Sequence, residues 1–397
     1  MFLSKARATL PICAAFAFLS ACSQNQAVPS NPSTSVAPAG SQSQSLRSSS
    51  NAASPADTTS ILKQDTKNVV IGSTVDPTNG DTGPHSLQID AFKVNYGKIK
   101  KGQLVFCNYA DSSGTPGNGT TIDVLNPTPS SSPTRFAQSN DIKGCSGSSV
   151  SSNTNFVYGA GMTSGLMTQF TAKGAENATY GPPLQEPFST LDVSNKKAYS
   201  SEYVFTTDVK TGSIVSTIFA ASSGGTTYLQ GVTGFAVNYP SGTGWNALGP
   251  AGLQYYAKKN LLYVADGVTD TIVEITNPND ILLKNEIVVG PSGKTFTCLH
   301  KKTTCAKLVY AGSPLNGPVA MTLLHNGNLV VANAAPASGG GNELVELTTT
   351  GQVLDTEVVD TGNAPAIFGL ASSGTTDANT VIYYTDTNDN TVHELEP

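Results

Sequence analysis

The 397-residue sequence is poor in charged residues, tryptophan and histidine. Charged residues make up 13% of the chain, well below the usual quarter, and Trp245 is the only tryptophan. The four histidines, His85, His300, His325 and His393, do not show metal-ligand spacing such as His-x-x-x-His. No Gly-x-Ser-x-Gly, His-Glu-x-x-His or phosphate-binding glycine-rich loop occurs. These absences exclude the common hydrolase, zinc-protease and nucleotide-binding motifs, although a serine triad assembled from distant positions stays open.

An excess of basic residues is also missing. The chain has 22 Lys and Arg against 28 Asp and Glu, for a net charge of −6, and the sequence contains no basic cluster. Nucleic acids and anionic lipid surfaces attract basic proteins, so this composition argues against both as partners.

No hydrophobic run is long enough to span a bilayer. The longest, from Leu10 to Leu19, has about ten residues, whereas a spanning helix needs about 20. It follows Lys5 and Arg7 and ends in Leu19-Ser20-Ala21-Cys22, the pattern of a secretory signal peptide with a cysteine after small residues. This pattern resembles the lipobox of bacterial lipoproteins. The alternatives are an uncleaved anchor helix and a secreted protein in which Cys22 is incidental.

The lipobox resemblance implies a signal peptide over residues 1–21, lipidation of Cys22 and attachment to the cell envelope. Ser23 follows the cysteine, where Asp usually signals inner-membrane retention, so the resemblance implies the outer membrane, facing the periplasm or the cell surface. Cleavage removes two basic residues and changes the net charge from −6 to −8. Residues 22–68 are rich in Ser, Pro and Gln and predict a lipidated, disordered tether.

Four cysteines remain after the signal peptide and Cys22. An even number in an oxidising compartment predicts two disulfides, for which three pairings exist. We predict Cys107–Cys145 and Cys298–Cys305, because each pair falls within one proposed repeat. The absence of Cys-x-x-Cys argues against a zinc or haem site.

Residues 69–397 have the pattern of an all-β domain, with short β-branched and aromatic runs between Gly, Asn, Asp and Pro turns. An apolar strand that ends in an amide or an acid recurs, usually with a proline upstream and a second strand after a turn. The copies are 104–108, 262–266, 329–333 and 382–386, with a degenerate copy at 198–202. The upstream prolines are Pro84, Pro187, Pro250, Pro318 and Pro365.

Four strands per repeat predict the blade of a β-propeller. Units that begin near residues 84, 142, 187, 250, 318 and 365 give six four-stranded blades, and residues 68–73 are expected to supply the outermost strand of the last blade. The repeats, above all Leu-Tyr-Val-Ala-Asp at 262–266 with Thr-Ile-Val-Glu-Ile at 271–275, resemble the NHL and YVTN families of propeller repeats. This resemblance is evidence for the fold and not for the function of the protein.

The repeats place polar side chains at equivalent positions. One interpretation is a ring of oxygen ligands near the channel for Ca²⁺ or another divalent cation, formed by Asn108, Glu202, Asp266, Asn333 and Asp386. The other is a turn device, which repetition in every blade favours. The glutamates at a second repeated position, 274, 346 and 394, are expected to be solvated. His85 follows Pro84 on an innermost strand, and we expect it to face the channel.

One insertion, residues 225–248, exceeds what a blade needs. It carries Tyr228, Phe235, Tyr239 and Trp245, which suit stacking on a sugar or contact with a partner. The alternative is a loop that packs its own aromatics over a blade edge.

The function these observations favour is an envelope-anchored lipoprotein whose propeller binds a ligand or an envelope protein, with a saccharide as one candidate ligand. We expect no nucleic acid partner and no cofactor, and we favour a binding protein over an enzyme. The alternative is a metal-dependent hydrolase or lyase, because gluconolactonases and streptogramin lyases share this architecture. The chain departs from the lactonase pattern, since residues 86–90 lack the early metal-ligating glutamate.

Overall fold

The computed structural model describes residues 57–89, 97–151, 154, 156–193, 202–219, 225–236, 248–337, 339–362 and 365–397. These residues form 26 β-strands in six sheets, with helix confined to short 3₁₀ turns. The predicted all-β class is therefore confirmed. Within the described ranges no helix has the length and apolarity needed to cross a membrane. The predicted signal peptide, Cys22 and most of the predicted tether lie outside the described residues.

Blade 6 combines strands from both ends of the described chain, and blades 1 and 2 follow its first strand in the sequence. Blade 6 contains β1 (Lys67–Ser73), β24 (Leu370–Ser373), β25 (Val381–Asp386) and β26 (Thr391–Glu396). Blade 1 contains β2 (Thr82–Ile89), β3 (Leu104–Ala110), β4 (Pro116–Leu125) and β5 (Thr134–Gln138). Blade 2 contains β6 (Cys145–Val150), β7 (Val157–Gly161), β8 (Leu166–Phe170) and β9 (Glu176–Tyr180).

Blades 3, 4 and 5 follow in chain order. Blade 3 contains β10 (Pro187–Asp192), β11 (Glu202–Asp208), β12 (Ser213–Phe219) and β13 (Thr226–Thr233). Blade 4 contains β14 (Leu253–Tyr256), β15 (Leu261–Asp266), β16 (Thr271–Thr276) and β19 (Cys305–Ala311). Blade 5 contains β20 (Pro318–Leu323), β21 (Leu329–Asn333), β22 (Asn342–Leu347) and β23 (Val353–Asp360).

The first strands of the blades form a closed ring around the central channel. Each contacts the first strand of the next blade in the order β24, β2, β6, β10, β14, β20 and back to β24. All six run in the same direction, and we call the side on which they begin the upper face and the other side the lower face. This arrangement confirms the six-bladed propeller.

The ring is closed by strands from opposite ends of the chain. β1 pairs antiparallel with β26, with Lys67 opposite Glu396 and Ser73 opposite Thr391. The prediction that residues 68–73 supply the outermost strand is confirmed. The pairing covers the open edge of the last blade, which an unpaired strand would leave exposed.

The folded body extends upstream of residue 69, the boundary expected from the sequence. Ile61 and Leu62 are fully buried against blades 5 and 6. The carboxylate of Glu346 in β22 accepts hydrogen bonds from the Leu62 N–H and the Ser60 hydroxyl, each at 2.8 Å. The sequence did not predict that this segment packs on the propeller, because only two apolar side chains, Ile61 and Leu62, are buried in the contact.

The two predicted disulfides are confirmed, and each joins the sheets of two neighbouring blades. Cys107 of β3 is bonded to Cys145 of β6, which connects blades 1 and 2. Cys298 is bonded to Cys305 at the start of β19 in blade 4. Cys298 ends β18 (Phe296–Cys298), which with β17 (Ile287–Val289) extends the sheet of blade 3.

The repeated glutamates expected to be solvated are buried. Glu274, Glu346 and Glu394 are 4%, 0% and 8% exposed. Glu274 accepts a hydrogen bond from the Tyr263 hydroxyl and pairs with Lys307. The expectation failed because neighbouring blades cover both faces of each sheet, so an alternating strand pattern has no solvated side at these positions.

Candidate functional site

The central channel is narrow and uncharged. Its cavity of about 60 Å³ is lined by hydroxyl, amide and apolar side chains from all six innermost strands. The polar lining residues are Ser86, Gln88, Ser146, Ser148, Ser189, Thr190 and Gln254. None of the lining residues in the described part of the chain is ionisable, so the channel itself offers no general acid, base or charged metal ligand.

A larger pocket of about 240 Å³ opens at the upper mouth of the channel, between blades 1 and 6. Aromatic rings and short polar groups line it: Thr82, Gly83, His85, Tyr109, Ala110, Gly114, Pro116, Pro365, Phe368, Thr387 and Asn390. We call it the mouth pocket. Its described lining contains no carboxylate, lysine or arginine.

His85 lies at the centre of a stack of rings in the mouth pocket. Its imidazole is stacked on Tyr109 with centroids 4.6 Å apart and on Phe368 with centroids 4.2 Å apart. Phe188 approaches it edge-on at 6.2 Å. Burial lowers the pKa of His85 to about 3, so the imidazole is neutral at physiological pH. The sequence predicted that His85 faces the channel; the structure places it at the channel mouth.

The backbone of blades 1 and 6 brings these rings together. The Ser86 N–H donates to the Phe368 carbonyl at 3.2 Å, across the blade boundary. Ser86 has a φ of 53°, and a β-bulge follows His85 in the pairing of β2 with β3. A Cβ at Gly369 would lie 2.4 Å from the carbonyl of Ser86, so only glycine permits this approach. The sequence gives no signal for Tyr109 or Phe368, because their partners lie in other segments.

Three of the predicted ring ligands hold the loops of their own blades. Asp266 accepts a hydrogen bond from the Val268 N–H at 3.1 Å, and burial raises its pKa to about 6. Asn333 accepts from the Asn316 N–H at 3.0 Å, and its amide donates to the Pro314 carbonyl at 2.9 Å. Asp386 accepts from the Asn388 N–H at 2.8 Å. These contacts are the ones expected of a turn device.

Asn108 belongs to a buried network in blade 1. Its amide donates to Asp123 at 2.7 Å and to the Thr74 carbonyl at 3.1 Å, which pins the loop after β1. Burial and the neighbouring Asp76 raise the pKa of Asp123 to about 9. Asp76 is itself paired with Arg135.

Glu202 does not occupy the position shared by the other four residues. It begins β11 at the lower end, and its carboxylate accepts from the Thr154 hydroxyl at 3.0 Å. The equivalent residue in blade 3 is Asp208 at the end of β11, opposite Pro187, as Asn333 is opposite Pro318. The degenerate copy proposed at 198–202 is therefore wrong. The apolar strand of blade 3 begins at Glu202, where that copy ends.

The predicted binding loop is partly a strand. Residues 226–233 form β13, in which Tyr228 is half-buried and its ring lies 5.8 Å from that of Tyr180. Phe235 is buried in the core between blades 3 and 4. Tyr228 and Phe235 therefore pack against other side chains of the propeller, whereas Tyr239 and Trp245 lie outside the described residues.

One group of side chains in the described part of the chain could hold a metal ion. Asp386, Asp389 and His393 offer ligand atoms that all lie within 4.8 Å of one another, at the upper turn between β25 and β26. The His393 Nδ1 lies 3.0 Å from the Asn68 amide oxygen, and Nε2 lies 3.2 Å from Asp389. Asn390, in the same turn, lines the mouth pocket.

The other histidines named from the sequence lie away from the mouth pocket. His300 contacts the buried carboxylate of Glu286 near the Cys298–Cys305 disulfide. His325 is exposed in a turn whose Gly327 has a φ of 91°.

No protein-family model and no curated protein matches the chain. Among solved structures it is similar to virginiamycin B lyase from Staphylococcus aureus, with 16% identity and a TM-score of 0.45 over 83% of this chain and 88% of that chain. It is similar to a gluconolactonase from Xanthomonas campestris, with 10% identity and a TM-score of 0.48 over 79% and 86%. A nidogen/laminin complex gives 14% identity and a TM-score of 0.43 over 71% and 92%. Similarity at this level carries no information about activity.

Proposed function

We propose that this chain is a lipid-anchored protein of the bacterial envelope whose mouth pocket binds a small neutral ligand. The observation that carries the proposal is the stack of Tyr109, His85 and Phe368 at the channel mouth. Stacked aromatic rings beside short polar groups suit the flat, apolar face of a sugar ring. A neutral saccharide is the ligand class that fits best.

Size and charge narrow the ligand further. A pocket of about 240 Å³ is slightly smaller than the usual range of about 300–1,000 Å³, which suits a monosaccharide or the end of a longer chain. The described lining residues carry no charge, and His85 is neutral because its pKa is about 3. A charged ligand would lose its hydration in this pocket without gaining a partner of opposite charge.

Two observations support an envelope location. Two disulfides are stable in an oxidising compartment and rare in the cytosol. The lipobox pattern at Leu19–Cys22 supports lipidation of Cys22 and, with Ser23, an outer-membrane address. Mass spectrometry of the purified protein tests lipidation directly, because the lipidated N-terminal peptide is heavier than the unmodified one.

Calorimetric titration with glucose, galactose and N-acetylglucosamine tests the pocket. Phe368→Leu keeps most of the apolar volume but removes a stacking ring, and it should weaken binding about tenfold. Tyr228→Leu, which changes a half-buried aromatic in blade 3, is the matched control and should bind normally. Failure of all three sugars to bind, or equal binding by Phe368→Leu, would contradict a saccharide ligand.

A metal-dependent enzyme is the second candidate, and the Asp386, Asp389 and His393 group favours it. Carboxylate oxygens and an imidazole nitrogen are suitable ligands for a divalent cation. The Asn68 amide oxygen is placed to accept the Nδ1–H of His393, which would direct Nε2 to the carboxylates. Bound metal would supply Lewis-acid chemistry beside the mouth pocket.

Elemental analysis of the purified protein tests this candidate. A stoichiometric divalent cation in the protein, lost in Asp389→Asn and retained in the control Asp377→Asn, would support it. A metal content that is the same in both variants would remove this group from consideration.

A further inference from the structure

Exposed leucines and lysines lie together on the outer rim of blades 3 and 4. Leu282, Leu283 and Leu299 are 51%, 47% and 60% exposed, and such a group of exposed apolar side chains is more informative than a single one. The exposed lysines that accompany them are Lys258, Lys259, Lys284, Lys301 and Lys302. We call these eight residues the leucine–lysine rim.

A buried glutamate holds the two leucine segments beside each other. Glu286 is fully buried, and its carboxylate accepts hydrogen bonds from the Leu282 and Leu283 N–H groups at 3.4 and 3.2 Å. The Leu299 N–H donates to the Glu286 carbonyl at 2.9 Å. The Cys298–Cys305 disulfide fixes the segment that carries Leu299. The leucines are therefore held outward by the fold and do not belong to a loose loop.

A second set of contacts gathers the lysines. The Asn277 amide donates to the Thr303 carbonyl at 2.6 Å, and the Asn277 N–H donates to the Asn260 carbonyl at 2.9 Å. These contacts join the turn after β14, which carries Lys258 and Lys259, to the turn before β19, which carries Lys301 and Lys302. Both turns lie at the lower face. The net negative charge and the absence of a basic cluster in the sequence argued against anionic lipid. These lysine pairs are about 40 residues apart in the sequence, and only the fold brings them together.

The first described residues of the chain contact the propeller at the same face. The Thr59 carbonyl accepts from the Asn326 and Asn328 amides, each at 3.3 Å, in the turn between β20 and β21. That turn follows the end of β20 and is therefore on the lower face. A surface bound at the lower face would leave the mouth pocket on the opposite side of the propeller.

We propose that the leucine–lysine rim binds the surface of an anionic phospholipid bilayer. Leu282, Leu283 and Leu299 insert among the headgroups, and the lysines contact the lipid phosphates. Each lysine near such a surface contributes about 1 kcal/mol, enough for several together to orient a protein that is already tethered. The orientation of the mouth pocket away from the bilayer rests on the proposed function; the binding of the rim to lipid does not.

Co-sedimentation with lipid vesicles tests the rim without the anchor. The protein is the chain from Ser23 onward, which lacks the predicted signal peptide and Cys22 and keeps every described residue. The probes are vesicles of phosphatidylglycerol with phosphatidylcholine and vesicles of phosphatidylcholine alone. We expect binding to the anionic vesicles only, with weaker binding as salt increases.

Two variants and a control identify the surface. Lys301→Glu with Lys302→Glu, and separately Leu282→Ser with Leu299→Ser, should each weaken binding to anionic vesicles about tenfold or more. Lys100→Glu with Lys101→Glu is the matched control, since it makes the same charge change at exposed lower-face positions of blade 1. It should bind like the parent chain.

The outcomes separate this inference from the proposed function. Absence of binding to anionic vesicles, or equal binding by the rim variants and the parent, overturns the lipid surface. Retention of lipid binding with loss of a co-purifying envelope protein in the rim variants also overturns it, in favour of a protein interface. Lipidation of Cys22 and sugar binding are measured independently, so either can fail without affecting this result.

Discussion

The carboxylate of Glu346 accepts a hydrogen bond from the backbone N–H of Leu62, 284 residues earlier in the chain, at 2.8 Å. The same carboxylate accepts from the Asn328 amide at 3.1 Å. It therefore connects the segment that enters the propeller to the interior of blade 5.

Replacing Glu346 by Ala should lower the free energy of unfolding by about 2–3 kcal/mol, because it removes the acceptor of the Leu62 N–H and of the Ser60 hydroxyl and one of the two acceptors of the Asn328 amide. Chemical denaturation measures this. Asp355→Ala is the matched control, since Asp355 lies opposite Glu346 in β23 and is only partly buried. It should change stability by less than about 0.5 kcal/mol. Equal effects of the two variants would mean that Glu346 does not hold the segment.

Asp65 should make the docking of the same segment depend on pH. Burial, with Glu346, Glu357 and Glu396 nearby, raises the pKa of Asp65 to about 7 from an ordinary value near 4. The folded protein holds this proton more tightly than the unfolded chain, so stability is full below about pH 4 and decreases as the pH rises to about 7. Asp65→Asn should raise stability at pH 8 by about 1–2 kcal/mol and leave it nearly unchanged at pH 4. Denaturation at both pH values measures the difference, and an equal change at both would contradict this role.

The two disulfides should contribute unequally to stability. The Cys107–Cys145 bond closes 38 residues and the Cys298–Cys305 bond closes 7. Loop-closure entropy predicts losses of about 4 and about 2 kcal/mol when each pair is replaced by Ala. Thermal unfolding of the two double variants gives the comparison. A larger loss from the short loop would show that bonding between blades 3 and 4 matters more than chain entropy.

Gly369 should not tolerate alanine. A Cβ there would lie 2.4 Å from the Ser86 carbonyl, whereas a Cβ at Gly339 meets nothing within 4 Å. We expect Gly369→Ala to cost about 2 kcal/mol or more and to weaken ligand binding, because it moves the segment that carries Phe368 away from β2, which carries His85. Gly339→Ala should be nearly neutral in stability and binding. Thermal unfolding and sugar titration of both variants test this.

Ligand binding in the mouth pocket should not depend on pH between about 5 and 8. His85, with a pKa of about 3, is already neutral throughout that range and gains no proton. Calorimetric titrations at pH 5 and pH 8 should give the same affinity. A change of tenfold would mean that His85, or another titrating group, gains or loses a proton when the ligand binds.

The sequence predicted the features that depend on neighbouring residues. Every blade has the same strand order and similar turns. A proline near the start of the innermost strand and an acid or amide at the end of the second strand therefore recur. From this recurrence the number of blades, the strand order and the ring closure could be inferred. Glu202 shows the limit of this reasoning. The degenerate repeat predicted it at the end of the second strand of its blade, whereas the structure places it at the start of that strand.

The candidate sites depend on contacts that no local pattern reveals. Tyr109 and Phe368 meet His85 from different blades, Glu346 meets Leu62 from the other end of the chain, and the lysine pairs of the rim come together through Asn277. Each of these residues looks ordinary in the sequence. Their roles follow from the closed ring, which places distant segments next to each other.

The pairing of β1 with β26 also has a consequence for synthesis of the chain. β1 is synthesised more than 300 residues before its hydrogen-bonding partner β26 (Thr391–Glu396). A nascent chain that lacks β26 therefore exposes the unpaired edges of β1 and β25. A variant that ends before β26 would keep those edges and should aggregate or be degraded.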